Sequence, residues 1–503
     1  MNTNRETEAK LVAPVGFRLP DFNGVLDGVT AEAMAPERLD ATYYDTSDLR
    51  LARSGVTVRY RTASGMGTWT VKLPDGDDGP ALVRRELNFD GPAGAVPRPV
   101  NDMVRAFMRS LPLVSVARLK TARSGVSLRD AESTRVADVV DDEVSVYEGR
   151  RVAARFREVE VELFLEGRSG VALLETVTER LIEAGCRDEA SVPKVVRALG
   201  HRAVEPPDVV ASQLDDRAPA GELVRNAMAA SVERLVRHDP GVRIGDDPED
   251  VHQARVATRR LRSDLRTFSS LIDGDWAASL TDELRWLGGD LGAVRDADVL
   301  AERLRRQASL LPERDAAGLG GLFRRLARQR DEARATLLAA LSGDRYVAVL
   351  DHLVGAAQSP VLAGDALVGA KAVEVAPDLV ARRWRHLSKA VDALGADPPD
   401  EELHRVRILA KRCRYASEAV APVVGKPARR FASAVADLQT VLGDHQDAVV
   451  AEGWLREAAT ALPRAALVCG ELIALQREEA RRHREDWKKA WKAASSKKLR
   501  AWL

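Results

Sequence analysis

Up to about residue 200 the chain alternates apolar and polar positions in short stretches, as in ETEAKLV, GVTVRYR, GTWTVKL, VRRELNF and REVEVELFL. A period of two predicts strands with two unlike faces. Around residues 203–220 the stretch AVEPPDVVASQLDDRAPA breaks all periodicity with its Pro and Asp content, which reads as a linker. From Glu222 onward Ala, Leu, Arg and Glu recur at three-and-four spacing, the pattern of long amphipathic helices. The expected layout is a strand-built domain at 1–202, a linker at 203–220 and an all-helical domain at 221–503.

The helical half repeats itself. HQARVATRRLR from His252 overlays HRVRILAKRCR from His404, an offset of 152 residues, and LGAVRDA from Leu291 overlays LGDHQDA from Leu442, an offset of 151. DDPEDVH and DPPDEELH place Asp, Pro and acidic residues just before each His, a helix-start signature. Two copies of one bundle, about 221–357 and 372–503, are predicted, joined near residues 358–377.

The polar faces of the strands carry the chemistry. Glu6, Glu8 and Lys10 share one face, with carboxylates about 7 Å apart, while Thr7, Ala9 and Leu11 share the other. Arg59 and Arg61 alternate with Val58 and Tyr60, Arg118 and Lys120 flank Leu119, and Glu158, Glu160 and Glu162 alternate with Val159 and Val161. Solvated outer faces of an antiparallel sheet would account for any one of these strands. Solvated faces mix signs, however, whereas here whole strand faces are acidic or basic. A closed antiparallel barrel with its charged face inward accounts for the set: carboxylates hold a divalent cation through oxygen, and arginines and lysines cradle an anion. Such a set, without a nucleophile or a glycine-rich loop, suits metal-assisted attack of water on a polyphosphate. The fold class is therefore α+β, a barrel with flanking helices followed by two pseudo-symmetric helical bundles.

Composition narrows the partners. The 76 basic and 76 acidic residues cancel, so nucleic acid held by overall charge is not expected and any polyanion site must be local. Cys186, Cys413 and Cys469 show no paired spacing, which fits a reducing, cytoplasmic setting. Neither a secretory start nor a run of about 18 apolar residues occurs, so no membrane partner is expected.

ETEAK at Glu6 to Lys10 matches the E-x-E-x-K signature of the CYTH superfamily, the triphosphate tunnel metalloenzymes. The resemblance runs on through YYDT at Tyr43 to Thr46, Arg59 and Arg61, Lys72, Arg84 and Glu86 in RREL, Arg123, Asp141 in VVDDE, the E-x-E-x-E strand, and Lys194 in SVPKVVRAL. It implies Mg²⁺ or Mn²⁺ held by Glu6, Glu8, Asp141, Glu158, Glu160 and Glu162, which would bind metal or orient water, with Asp138 competing for the place of Asp141. It further implies that Lys10, Arg59, Arg61, Lys72, Arg84, Arg123 and Lys194 bind phosphates, with Lys120 a neighbouring candidate beside Arg123. Glu8, Lys10, Lys72 and Glu160 would carry the catalysis.

On a helix advancing about 100° per residue, His252, Arg255, Arg259, Arg262 and Arg266 fall within roughly an 80° arc. His404, Arg407, Lys411 and Arg414 repeat that spacing. Like charges so placed repel, and so call for an external anion or for acidic partners such as Asp296, Asp298 and Asp447. The motif resembles the CHAD domain over about residues 220–500, which implies that these basic residues bind inorganic polyphosphate. Neither His has a second His or carboxylate at i+4, so a phosphate-contacting or helix-orienting role is read rather than a metal site. The closing WKKAWKAASSKKLRAWL reads as a last helix packing its tryptophans on the bundle.

The combined expectation is a metal-dependent hydrolase of inorganic triphosphate or a nucleoside triphosphate, with a helical module that grips polyphosphate. An adenylate cyclase or thiamine triphosphatase on the same barrel, and a non-catalytic polyphosphate-binding protein, are the alternatives.

Overall fold

Strand β1 (Asn2–Val12) lies between β6 (Leu82–Phe89) and β9 (Arg151–Leu163), and every neighbouring pair in its sheet is antiparallel. The remaining strands are β2 (Thr30–Ala33), β3 (Glu37–Asp45), β4 (Thr57–Ala63), β5 (Met66–Pro74), β7 (Val114–Arg129) and β8 (Arg135–Glu148). Their order is β2-β7-β3-β4-β5-β6-β1-β9-β8, and β8 returns to pair with β7. Eight strands therefore close a barrel, with β2 as an outer addition to β7. The computed structural model describes residues 2–503 apart from Ser64, 76–81, Glu166, 189–191, 314–315 and Asp365, and only the backbone at 2–6, 82 and 366.

The barrel inverts the usual placement of apolar and charged residues. Leu11, Val139, Val159 and Val161 point outward and are buried beneath Leu173, Val177 and Leu181 of α4 (Gly167–Glu183) together with Phe17 and Phe22. Burying one such side chain contributes about 1.5–3 kcal/mol, so this outer layer is a substantial core of the unit. Three short helices, α1 (Arg50–Arg53), α2 (Arg98–Met103) and α3 (Arg105–Met108), precede β7, and α5 (Lys194–Leu199) follows α4. A second apolar cluster gathers Ala41, Tyr43, Leu119 and Val144 around Val195 and Val196 of α5. Strands β7 and β8 cross closely at Gly125, where a Cβ would lie 2.5 Å from the Val139 carbonyl oxygen.

Contacts divide the chain into Met1–Asp208 and Val209–Leu503. The stretch read as a linker is shared between them. Asp208 is ion-paired to Arg53 at 2.9 Å and to Arg109, whereas the Ser212 N–H donates to Asn226 at 2.7 Å.

The second unit is helical throughout: α6 (Ala220–Ile244), α7 (Pro248–Thr267), α8 (Gly274–Ala308), α9 (Leu319–Leu341), α10 (Asp344–Gln358), α11 (Ala366–Gly369), α12 (Ala372–Asp392), α13 (Asp400–Val424), α14 (Lys426–Ala461) and α15 (Ala466–Ala494). Asp247 caps α7 by accepting from the Glu249 N–H at 2.8 Å, and Asp400, Glu401 and Glu402 place negative charge in the first turn of α13. The repeat is real in space. Helices α6 and α12 begin 152 residues apart, as do α7 and α13. Just before α6 and α12 the two copies meet in a reciprocal bridge: the Ala220 N–H donates to the Ala370 carbonyl at 2.9 Å, and the Ala372 N–H to the Ala218 carbonyl at 2.8 Å. Each bond is the other shifted by 152 residues, as a local two-fold requires. The tryptophans at the C-terminus pack inward as expected, with Trp491 stacked on Trp384 and Trp487 buried.

Candidate functional site

Register decides which side chains enter the barrel. Glu8 stands opposite Glu162 and Lys10 opposite Glu160, while Asp142 stands opposite both Glu158 and Arg123. On the far wall Arg59 pairs with Tyr43 and Thr70, and Lys72 with Glu86. Because side chains alternate along a strand, these residues share the inward face. Lys194 arrives from the first position of α5.

Inside, opposite charges are interlocked. Lys10 is ion-paired to Glu160 and lies 3.3 Å from Glu8. Lys194 reaches Glu160 at 2.7 Å, Asp142 at 2.8 Å and Glu158 at 2.9 Å. Arg123 donates twice to Asp142, at 2.7 and 2.8 Å, and once to Glu160 at 3.0 Å. Lys72 lies 3.1 Å and Arg59 3.7 Å from Glu86. Burial alone would raise the Glu160 carboxyl, but Lys10, Lys194 and Arg123 outweigh it and hold the group well below the usual range. Glu8 is lowered for the same reason, against burial and the Glu160 charge, by Lys10, Lys72 and Arg84. Glu162 goes the other way. Burial and the like charges of Glu8, Asp138 and Glu160 raise it despite Lys72, and it forms no ion pair among the described residues. Arg61, crowded by Arg59, buried, and near Arg123, is pulled down to about 10.

Two expected site residues face elsewhere. Asp141 points out of the barrel, where Arg157 grips both its oxygens at 2.6 and 2.8 Å; Asp142 takes the inward position because neighbours on a strand point to opposite faces. Lys120 is also outward, half exposed and 3.8 Å from Asp40, while its neighbours Thr121 and Arg123 set the inward parity of β7. Asp138 has the inward register but is occupied by Arg135 and Ser127. The side chain of Glu6 lies outside the described residues, although its backbone pairs with Arg84. Asp142 and Glu86 are the inward acids that sequence reasoning left out of the site.

A metal fits by donor chemistry. Hard divalent cations take carboxylate oxygens, and the Oε1 of buried Glu8 has no hydrogen-bond partner among the described residues. The crowded charge at Glu162 would be relieved by a cation. Among the described residues no three acidic or imidazole groups stand grouped as a metal site; Lys10 and Lys194 hold the same oxygens.

In the helical unit α7 packs against α13, so the basic ridges of the two copies join. The equivalent arginines that open the two ridges meet equivalent aspartates: Arg255 bonds Asp296 at 2.7 Å, and Arg407 lies 3.9 Å from Asp447. Those arginines lie over Gly292 and Gly443, the glycines of the repeated LG motif. Asp298 pairs with Arg330 instead. Lys411 is pulled down to about 7 by burial and by Arg407, Arg259 and Arg255, with Asp447 opposing. Arg259 rests over the Tyr415 ring, 5.4 Å from its centre, and Arg414 pairs with Glu418 at 2.6 Å. His252 and His404 are both held below the usual imidazole range by burial and neighbouring cations, among them Arg295 and Arg407 respectively. Among the described residues no helix is long and apolar enough to cross a membrane.

Comparison with known proteins matches these two regions separately. The CYTH domain model matches residues 4–184 and the CHAD domain model residues 226–456. Among solved structures, a CHAD domain from Ricinus communis is 29% identical, covering 59% of this chain and 98% of that one with a TM-score of 0.48. PptA from Streptomyces chartreusis is 27% identical, covering 55% and 100%, with a TM-score of 0.45. Two uncharacterized proteins, from two strains of Mycobacterium tuberculosis, are each 33% identical over 468 residues, 88% of this chain and 86% of theirs. With both domains matched in the same order as the tunnel and the twinned basic helices, the chain belongs to the family of proteins in which a CYTH domain precedes a CHAD domain.

Proposed function

We propose that the first unit is a divalent-cation-dependent triphosphatase acting on inorganic triphosphate or a nucleoside triphosphate, and that the second binds inorganic polyphosphate. One observation carries the catalytic reading: acids from β1, β8 and β9 and bases from β4, β5, β6, β7 and α5 share one enclosed inward face. Pure anion binding would gain nothing from the acids.

Arg59, Arg61, Lys72, Arg84, Arg123 and Lys194 bind the phosphate oxygens, drawing them away from their carboxylate partners. Glu8 and Glu160, kept ionised by their cationic neighbours, are the oxygen donors for Mg²⁺ or Mn²⁺. When bound, that ion would neutralise phosphate charge during the displacement. Glu162, the carboxyl made more basic by its surroundings, takes the proton from the attacking water. The water oxygen bonds to the terminal phosphorus as the bond to the bridging oxygen breaks, giving orthophosphate and a shortened chain. In the second unit, Arg255, Arg259, Arg262, Arg266, Arg407, Lys411 and Arg414 grip polyphosphate, and His252 and His404 orient the helices or touch phosphate; the domains are proposed to act as separate modules.

The test is phosphate release from triphosphate, ATP, thiamine triphosphate and long-chain polyphosphate, each with and without Mg²⁺. Metal-dependent release from triphosphate or ATP is expected. No release from any of them would refute the catalytic reading, and preference for thiamine triphosphate or formation of a cyclic nucleotide would redirect it.

A further inference from the structure

The local two-fold relating the helical copies is obeyed by the backbone but broken by charge at one place. Residue 260 is equivalent to 412, and residue 266 to 418, under the offset of 152. On one side of the α7–α13 seam Arg260 meets Glu418 at 2.5 Å, and Glu418 also takes Arg414. On the equivalent side Arg412 faces Arg266: an ion pair in one half is a like-charge pair in the other.

The cationic side is reinforced from two further helices. Arg266 is held below the ordinary arginine range by burial and then by Arg412, Arg262, Arg383 and Arg285; Arg262 is lowered by burial, Arg285 and Arg412. Burial and the cations Arg382 and Arg412 lower Arg383 as well. The Nε of Arg262 is buried and has no hydrogen-bond partner among the described residues. Arg412 forms no ion pair among them, Arg383 donates to the Arg266 carbonyl, and Arg285 at the rim is tied to Asp282. Four helices thus converge arginines on a spot where Arg266 stands at the position equivalent to Glu418. Arginine's planar fork suits phosphate oxygens, and several together suit a chain of them.

We infer that Arg262, Arg266, Arg383 and Arg412, with Arg285 at the rim, form an anion subsite through which a phosphate chain leaves the seam, so that the basic cleft is open on the α12 side and sealed by Glu418 on the other. This rests on the polyphosphate reading above and adds to it a direction and a preference for longer chains.

The experiment uses the full-length protein, labelled long-chain polyphosphate and binding isotherms at several salt concentrations. Arg266→Glu recreates on the open side the acid that seals the other. It is expected to raise the melting temperature, by relieving repulsion, while weakening binding at least ten-fold and flattening the salt dependence. Arg412→Gln should weaken binding in the same direction with an unchanged or higher melting temperature. The control Arg260→Gln on the sealed side, where Arg260 is the ion-pair partner of Glu418, should change affinity less than two-fold. Equal losses on the two sides, or unchanged affinity in both open-side variants, would overturn the subsite while leaving polyphosphate binding in place. If the wild-type protein does not bind the chain at all, the underlying reading falls and the subsite with it.

Discussion

The tunnel and the helical seam both concentrate arginine and lysine, yet they treat those charges in opposite ways. In the tunnel the cations interlock with acids: Lys194 alone touches three carboxylates, and Arg123 touches two. On the open side of the seam the arginines chiefly face one another. The interlocked set satisfies its own charges, and on the proposed function it would give up ion pairs to phosphate as a cation takes over the acids. The repelling set is held against its own charge, so any polyanion relieves it. On the proposed function, one arrangement would serve turnover of a short substrate and the other capture of a long one.

The largest expected effect breaks the tunnel side of this contrast. Glu8→Gln keeps a similar shape but removes an ionised oxygen donor, and should lower metal-dependent kcat by at least about 100-fold with little change in melting temperature. Phosphate-release kinetics beside a melting curve would show it. Arg59→Ala should be milder, raising KM and lowering kcat by about ten-fold each, because its contact with phosphate exists before and during reaction. A loss confined to stability would instead make Arg59 a structural partner of Glu86.

Lys411 gives the seam a pH signature. Its proton binds more weakly in the folded protein, at about 7, than in an unfolded chain. Between that value and the ordinary lysine range the unfolded state binds more protons, so this group makes stability fall as pH drops towards 7. A bound polyanion favours the charged form, so binding near neutrality should take up protons and affinity should fall as pH rises through about 7. Calorimetry in buffers of different ionisation enthalpy measures that uptake, and Lys411→Arg should reduce it, leaving only what His252 and His404 take up. The smallest effect separates two adjacent aspartates: Asp142→Asn should depress activity several-fold, whereas Asp141→Asn, outside the barrel, should leave kcat within about two-fold and show its cost only in melting temperature.

That pair also marks where the sequence stops being legible. From Glu6 to Leu11 of β1 and from Glu158 to Leu163 of β9 charged and uncharged residues alternate without a break, and every residue from Glu158 to Glu162 takes the face expected of it. In β8, Val139 and Val140 are adjacent, both apolar and both buried, so the period of two loses its phase just before Asp141 and Asp142. Lys120 misleads for a different reason: Arg118, Leu119 and Lys120 alternate cleanly, but the inward face near Leu119 is the apolar one packed on α5. The ridges from His252 and His404 were readable because each lies on one helix. The convergence of Arg285, Arg383 and Arg412 on Arg262 and Arg266 was not, since it depends on how four helices pack. Glu86, though part of the RREL match, gains its place only when β5 brings Lys72 across from it.

The reciprocal bridge at Ala218 and Ala370 bears on how such a cleft can arise at all. A single copy of the repeat that associated with itself through this bridge would form a homodimer in which one residue fills both equivalent positions. It could carry glutamate on both sides of the seam or arginine on both, but never one of each. Covalent fusion of the copies removes that constraint and lets position 266 diverge from position 418. An opening with one sealed and one cationic side is therefore available to the tandem chain and closed to its symmetric counterpart.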